Sequence, residues 1–103
     1  AQVIIVTYDY ENLGNAGTGM IVANEMTIDL ASAGQIMDAQ GEAGYVYPLD
    51  GLKAPVGINY GEKTTGVQVA FALDHFSTSA DYTFRYYDVR NNYIDVPFHW
   101  EIP

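Results

Sequence analysis

The chain is predicted to be all-β, an antiparallel sandwich of about seven short strands forming one domain over residues 1–103. Three observations carry this. Apolar and polar residues alternate with period two in four separate stretches. Gly-, Asn- and Asp-rich turn chemistry recurs about every ten residues between them. The length of 103 residues, with 49% apolar side chains, suits one core without staples.

Taken in chain order, Ile4, Val6, Tyr8 and Tyr10 alternate with Thr7, Asp9 and Glu11 and mark a first strand. Val3 and Ile5 interrupt its polar side, so its start is expected to be covered on both faces. Residues 12–19 form a Gly/Asn loop. Residues 20–37 read two ways. Met26, Ile28 and Leu30 alternate as in a strand, whereas Met20, Ala23, Thr27, Leu30 and Ala31 fit a helical face between Thr18 and Gly34. The strand is favoured because its surroundings are strand-like. Turns follow at Asp38 to Gly41, Leu49-Asp50-Gly51 and Tyr60 to Lys63.

Val67, Val69, Phe71 and Leu73 give the clearest strand. Residues 74–80 are a polar connection. Tyr82, Phe84 and Tyr86, then Ile94, Val96, Phe98, Trp100 and Ile102, form the closing pair. For both rows to face one core, paired residue numbers must sum to an even number. A three-residue loop at 90–92, with Asn92 left-handed, satisfies this. It sets Tyr86 opposite Val96 and Phe84 opposite Phe98, with Arg85 outside near Asp95 and His99. Pro97 belongs at an edge or a non-bonded position.

Charge excludes some functions. The 13 acids and 4 bases leave a net charge of -9. Residues 1–52 hold seven acids and no base (-7), and residues 53–103 six acids and four bases (-2). Nucleic acid and anionic membrane surfaces both need clustered Lys and Arg, so neither is expected as a partner. No long apolar stretch suggests membrane insertion by this segment. The absence of cysteine removes disulfides and thiolate chemistry.

The chemical constellations are weak. Gly14, Gly17 and Gly19 lack the Lys or helix end that a phosphate cradle needs. Asp74, His75, Ser77 and Ser79 supply hydrolase residue types, but there is no Gly-x-Ser-x-Gly elbow, so no catalysis is expected. His75 and His99 are too few for a histidine zinc site, and His99 is read as a surface residue near Glu101 or Asp95. No organic cofactor is expected. Calcium is the cation to consider, through loop carboxylates Asp38, Asp50, Asp81 and Asp88, although no EF-hand run is present. Tyr45, Tyr47, Tyr60, Tyr87 and Tyr93 lie at or beyond the edges of the core patterns and are the candidate binding aromatics.

Four segments carry a resemblance: Val3-Ile-Ile-Val-Thr-Tyr-Asp-Tyr-Glu-Asn12, Tyr60-Gly-Glu-Lys-Thr-Thr-Gly-Val-Gln-Val-Ala-Phe71, Asp81-Tyr-Thr-Phe-Arg-Tyr-Tyr87 and Ile94-Asp-Val-Pro-Phe-His-Trp-Glu-Ile102. The chain resembles the immunoglobulin-like domain of unknown function found in secreted Gram-positive lipoproteins, which is related to the immunoglobulin-like mycobacterial secreted antigen. The resemblance implies an immunoglobulin-like sandwich located at the cell surface or outside the cell. It transfers no catalytic residue. It implies a structural role for Gly61 (backbone shape) and Gly66 (close approach at strand entry). The expectation is a non-catalytic interaction or spacer module whose partner is a protein or a cell-wall glycan. The alternative is a carbohydrate- or calcium-binding sandwich.

Overall fold

The computed structural model describes residues 2–14, 25–87 and 90–103. Among these there is no helix, and all strand pairing is antiparallel. The strands are β1 (Gln2–Glu11), β2 (Glu25–Met26), β3 (Gly34–Met37), β4 (Tyr45–Val46), β5 (Ile58–Asn59), β6 (Lys63–Leu73), β7 (Ser79–Tyr87) and β8 (Tyr93–Glu101). They form a sheet β1-β6-β4, a sheet β3-β7-β8 and a two-stranded β2-β5 ladder. Val69, Phe71 and Leu73 of the first sheet share one buried cluster with Ile36, Ala80 and Tyr82 of the second. The two three-stranded sheets therefore bury one face each against the other, the layering of a sandwich.

Alternation explains which face is buried. On β1 the even residues point inward and the odd ones outward. Ile4, Val6 and Tyr8 stand opposite Phe71, Val69 and Val67 of β6. A register shift falls between Tyr8 and Tyr10, where Asp9 faces both Thr65 and Gly66. This is a β-bulge, and Gly66 takes the positive φ of 71° that it requires. The Gly66 N–H donates to Asp9 Oδ1 at 2.9 Å. A Cβ on Gly66 would meet nothing within 4 Å. Its role is thus conformational and not the expected close approach. Gly61, with φ 85°, serves backbone shape as expected. Close approach is the role of Gly34 instead, where a Cβ would lie 2.0 Å from the Thr83 carbonyl oxygen.

Several expectations are corrected. The start of β1 is not covered on its outer face: Val3 is 46% and Ile5 51% exposed. The favoured strand around Met26 shrinks to two residues, after which residues 27–33 run irregularly, with turn conformation from Leu30. That segment is held by side chains instead of a ladder. Tyr8 donates to the Ile28 carbonyl at 2.9 Å and accepts from Leu30 N–H at 3.4 Å, and Tyr82 donates to the Leu30 carbonyl at 2.6 Å. Thr18, Met20 and Ala23, invoked in the helical alternative, lie outside the described residues.

The closing hairpin keeps the even parity but slides by two residues. Phe84 pairs with Val96, Tyr86 with Ile94 and Tyr87 with Tyr93. The strands accordingly leave 88–92 between them, and among its described residues the left-handed one is Asn91 (φ 62°), not Asn92. A longer loop satisfies the facing constraint as well as a three-residue one does. Arg85 stands opposite Asp95, and Pro97 lies on β8, an edge strand.

Candidate functional site

The outer face of β3-β7-β8 is built by the odd residues of β7 and β8, with Gln35 and Met37 of β3. Near the hairpin end, Tyr87 and Tyr93 form a direct cross-strand pair, each more than half exposed. The next row is Arg85 and Asp95. Arg85 Nε donates to Asp95 Oδ1 at 2.7 Å and Nη2 to Oδ2 at 3.0 Å. The guanidinium carbon lies 3.9 Å from the centroid of the Tyr93 ring. The two charge-assisted bonds raise the Arg85 pKa and hold the Asp95 carboxyl below its usual range. Ser32, Gly34, Gln35, Met37 and Thr83 continue this row into an open groove of about 540 Å³ that also touches Arg85, Tyr87 and Asp95. Two flat rings beside a fixed planar ion pair offer apolar area and directed donors and acceptors together.

At the other end of this face His99 lies between two acids. Its Nδ1 is 2.7 Å from Asp81 Oδ1 and its Nε2 3.5 Å from Glu101 Oε2. The bond to Asp81, and the charge of both acids, raise the His99 pKa. The expected neighbour Glu101 is thus present, whereas Asp95 is taken by Arg85.

The remaining aromatic candidates sit elsewhere. Tyr45 pairs with Ala72 on β4, and Tyr47 N–H donates to the Ala70 carbonyl. Both belong to the outer row of β1-β6-β4, across β6 from Val3 and Ile5. Tyr60 stands alone at the β5–β6 turn, strongly exposed and against Gly14. The five tyrosines therefore occupy two opposite outer faces and one turn.

The carboxylates proposed for calcium are not gathered. Asp38 is buried and accepts from Gln40 N–H and Glu42 N–H at 2.9 Å each, with His75 Nδ1 2.9 Å from its other oxygen. Desolvation pushes this carboxyl up, but the Glu42 amide, the His75 ring and the Gln40 amide outweigh it, and its pKa is lowered. Asp50 is exposed in its turn, Asp81 is paired with His99, and Asp88 lies outside the described residues. Among the described residues no three His, Asp or Glu side chains converge as a metal site would need.

The Asp74–Ser79 segment assembles no relay. Ser77 Oγ donates to the His75 carbonyl at 3.0 Å and accepts from Ala39 N–H at 3.1 Å. It is buried and makes no hydrogen bond to the imidazole. The partner of His75 is Asp38, 37 residues away, which the sequence offered only as a cation ligand. Of the glycine run, Gly17 and Gly19 lie outside the described residues, and Gly14 N–H donates to Asn12 Oδ1 at 3.0 Å.

Sequence reasoning missed Arg85 and Asp95 as site members, although it set them side by side. The nearness of Arg85 to Asp95 was available, but the tyrosine pair one row away exists only in the observed register, two residues from the expected one. No family model, no curated protein and no solved structure matches this chain.

Proposed function

We propose that the chain is a non-catalytic interaction module with an immunoglobulin-like sandwich topology, working outside the cytoplasm as part of a secreted or cell-surface protein. Its partner is a protein or a cell-wall glycan. The observation that carries the reading is the exposed Tyr87–Tyr93 pair beside the Arg85–Asp95 bidentate pair. Aromatic rings and arginine are enriched where protein surfaces bind strongly. Rings held rigid by a strand lose little entropy on contact. The resemblance of the four strand segments to the lipoprotein domain supports the location.

The carbohydrate-binding alternative is favoured by the same pair, since flat rings next to an exposed guanidinium and carboxylate suit a sugar ring and its hydroxyls. A glycan array, with cell-wall fragments and surface proteins alongside, tests both. Binding that falls at least tenfold in Tyr87→Ala/Tyr93→Ala and holds in Tyr45→Ala supports this face. Equal binding by both variants removes it. A calorimetric calcium titration separates the cation reading: heat at micromolar to millimolar calcium would establish it.

A further inference from the structure

We infer that the free edge of β1 is a self-association surface, on which a second copy of this chain adds its own β1 antiparallel. The sheet β4-β6-β1 then runs on through a two-fold axis into the partner's β1-β6-β4.

A strand edge presents unpaired N–H and C=O groups, and natural sheets guard such edges with charge, proline, bulges or shortness. Among the described residues, three of the four outer edges of the two three-stranded sheets are guarded. β3 has four residues and β4 two. β8 is long but carries Asp95, Pro97, His99 and Glu101 along one face. β1 is the exception. It has ten residues, is hydrogen-bonded on one side only among the described residues, and its stretch Gln2 to Tyr8 holds no charge, no proline and no glycine. Its pairing with β6 is regular from Gln2 to Tyr8, and the bulge comes only beyond that. The stretch is therefore unbulged, long and uncharged.

Both faces of that stretch are apolar. Val3 and Ile5 are about half exposed on the outer side. Ile4 and Val6 are only partly buried on the inner side, where they line a cleft of about 340 Å³ against Trp100 and Ile102. An added strand would supply the missing edge and roof part of that cleft.

Self-complementarity selects the occupant. The first acid of the chain is Asp9, so residues 2–8 themselves offer a charged strand nothing to pair with, the charged groups lining the cleft beside them being His99 and Glu101. A second copy pairs apolar with apolar along the stretch if the axis passes at Ile5. Ile5 then faces Ile5 of the partner subunit, Ile4 faces Val6 of the partner subunit, and Val3 faces Thr7 of the partner subunit. Every pair keeps its face, because directly opposite residues share one side of a sheet. Asp9 falls beyond the pairing. The contact is isologous and closes after two copies.

Sedimentation velocity over a dilution series, with amide hydrogen exchange at each concentration, tests this. The expected result is a monomer–dimer equilibrium in which alternate amides of residues 2–8 slow as the dimer fills. Val3→Lys/Ile5→Lys, at half-exposed outer positions, should be monomeric with an unchanged circular dichroism spectrum. Should that pair fail to fold, Ile5→Thr keeps the strand preference and should weaken the dimer at least tenfold. A wild-type monomer up to about 1 mM overturns the inference. So does a dimer whose β1 amides exchange alike at all concentrations, since that dimer uses another surface.

Discussion

At the scale of single residues, buried polar side chains hold the irregular parts of this molecule. Asn12 is fully buried at the end of β1. Its Nδ2 donates to the Ile58 carbonyl at 3.2 Å and its Oδ1 accepts from Gly14 N–H. Its backbone bonds Glu62 and Gly61 as well. Asn12→Ala leaves a buried carbonyl and an amide without partners, and should cost about 1–3 kcal/mol in denaturant unfolding. Tyr10 works alike, donating to the Val56 carbonyl and accepting from Val56 N–H. Burial pushes the Tyr82 hydroxyl up to about 12 and raises Tyr8 as well, which favours the neutral, donating form of both.

Asp38 sets a pH dependence at the same scale. Its carboxyl is held below the unfolded value, so its contribution is present above the unfolded pKa of about 3.9 and is lost as pH falls through the lower, folded value. The melting temperature should therefore drop on acidification below about pH 4. Asp38→Asn should melt lower at neutral pH and show a flatter acid limb. An acid limb as steep as wild type would assign it to other carboxylates. His99 has the opposite sign: its folded pKa is raised, so its small, solvent-screened contribution is present below about 6.5 and fades as pH rises through the folded value.

At the scale of elements, β8 is a thin wall of the core, with none of its residues fully buried. Trp100 stacks on Tyr82 with centroids 5.1 Å apart and an interplanar angle of 16°. Phe98, one row along on the same face, is 45% exposed, beside a cleft of about 290 Å³ lined by Val6, Tyr8, Leu30, Tyr82 and Trp100. Trp100 is only partly buried. Trp100→Ala should therefore cost about 3 kcal/mol, the lower end for a large aromatic. A shift of the urea midpoint equivalent to under about 1 kcal/mol would show that the ring does not anchor β8. The alternation of β6, β7 and β8 was legible in the sequence because an edge or central strand with one buried face must alternate. The two-residue slide of the last hairpin was not, because parity constrains the facing of strands and not the length of the loop. The segment after Met26 was illegible for a related reason: its backbone groups find tyrosine hydroxyls, and periodicity cannot report a partner that is a side chain.

For the whole molecule, 13 acids against 4 bases repel one another in the folded state. Raising ionic strength from about 0.01 to 0.15 M shortens the screening length from about 30 to 8 Å. The melting temperature should rise over that range. A flat response would mean that the acids are paired or ion-bound well beyond the local pairs Arg85–Asp95 and His99–Asp81.

By itself the sequence determined the all-β class, the inward rows of β1, β6, β7 and β8, and the outward position of the acids on those strands, because these follow from a period of two and from desolvation. Tertiary structure alone decided which distant residues meet. Asp38 finds His75, Tyr82 finds the Leu30 carbonyl, and Tyr87 and Tyr93 are joined while Tyr45 and Tyr47 go to the opposite face. It also decided that β1 lies at an edge, which turns Val3 and Ile5 from core candidates into exposed surface. Strand order depends on long-range pairing, and pairing is a property of two segments that neither carries alone.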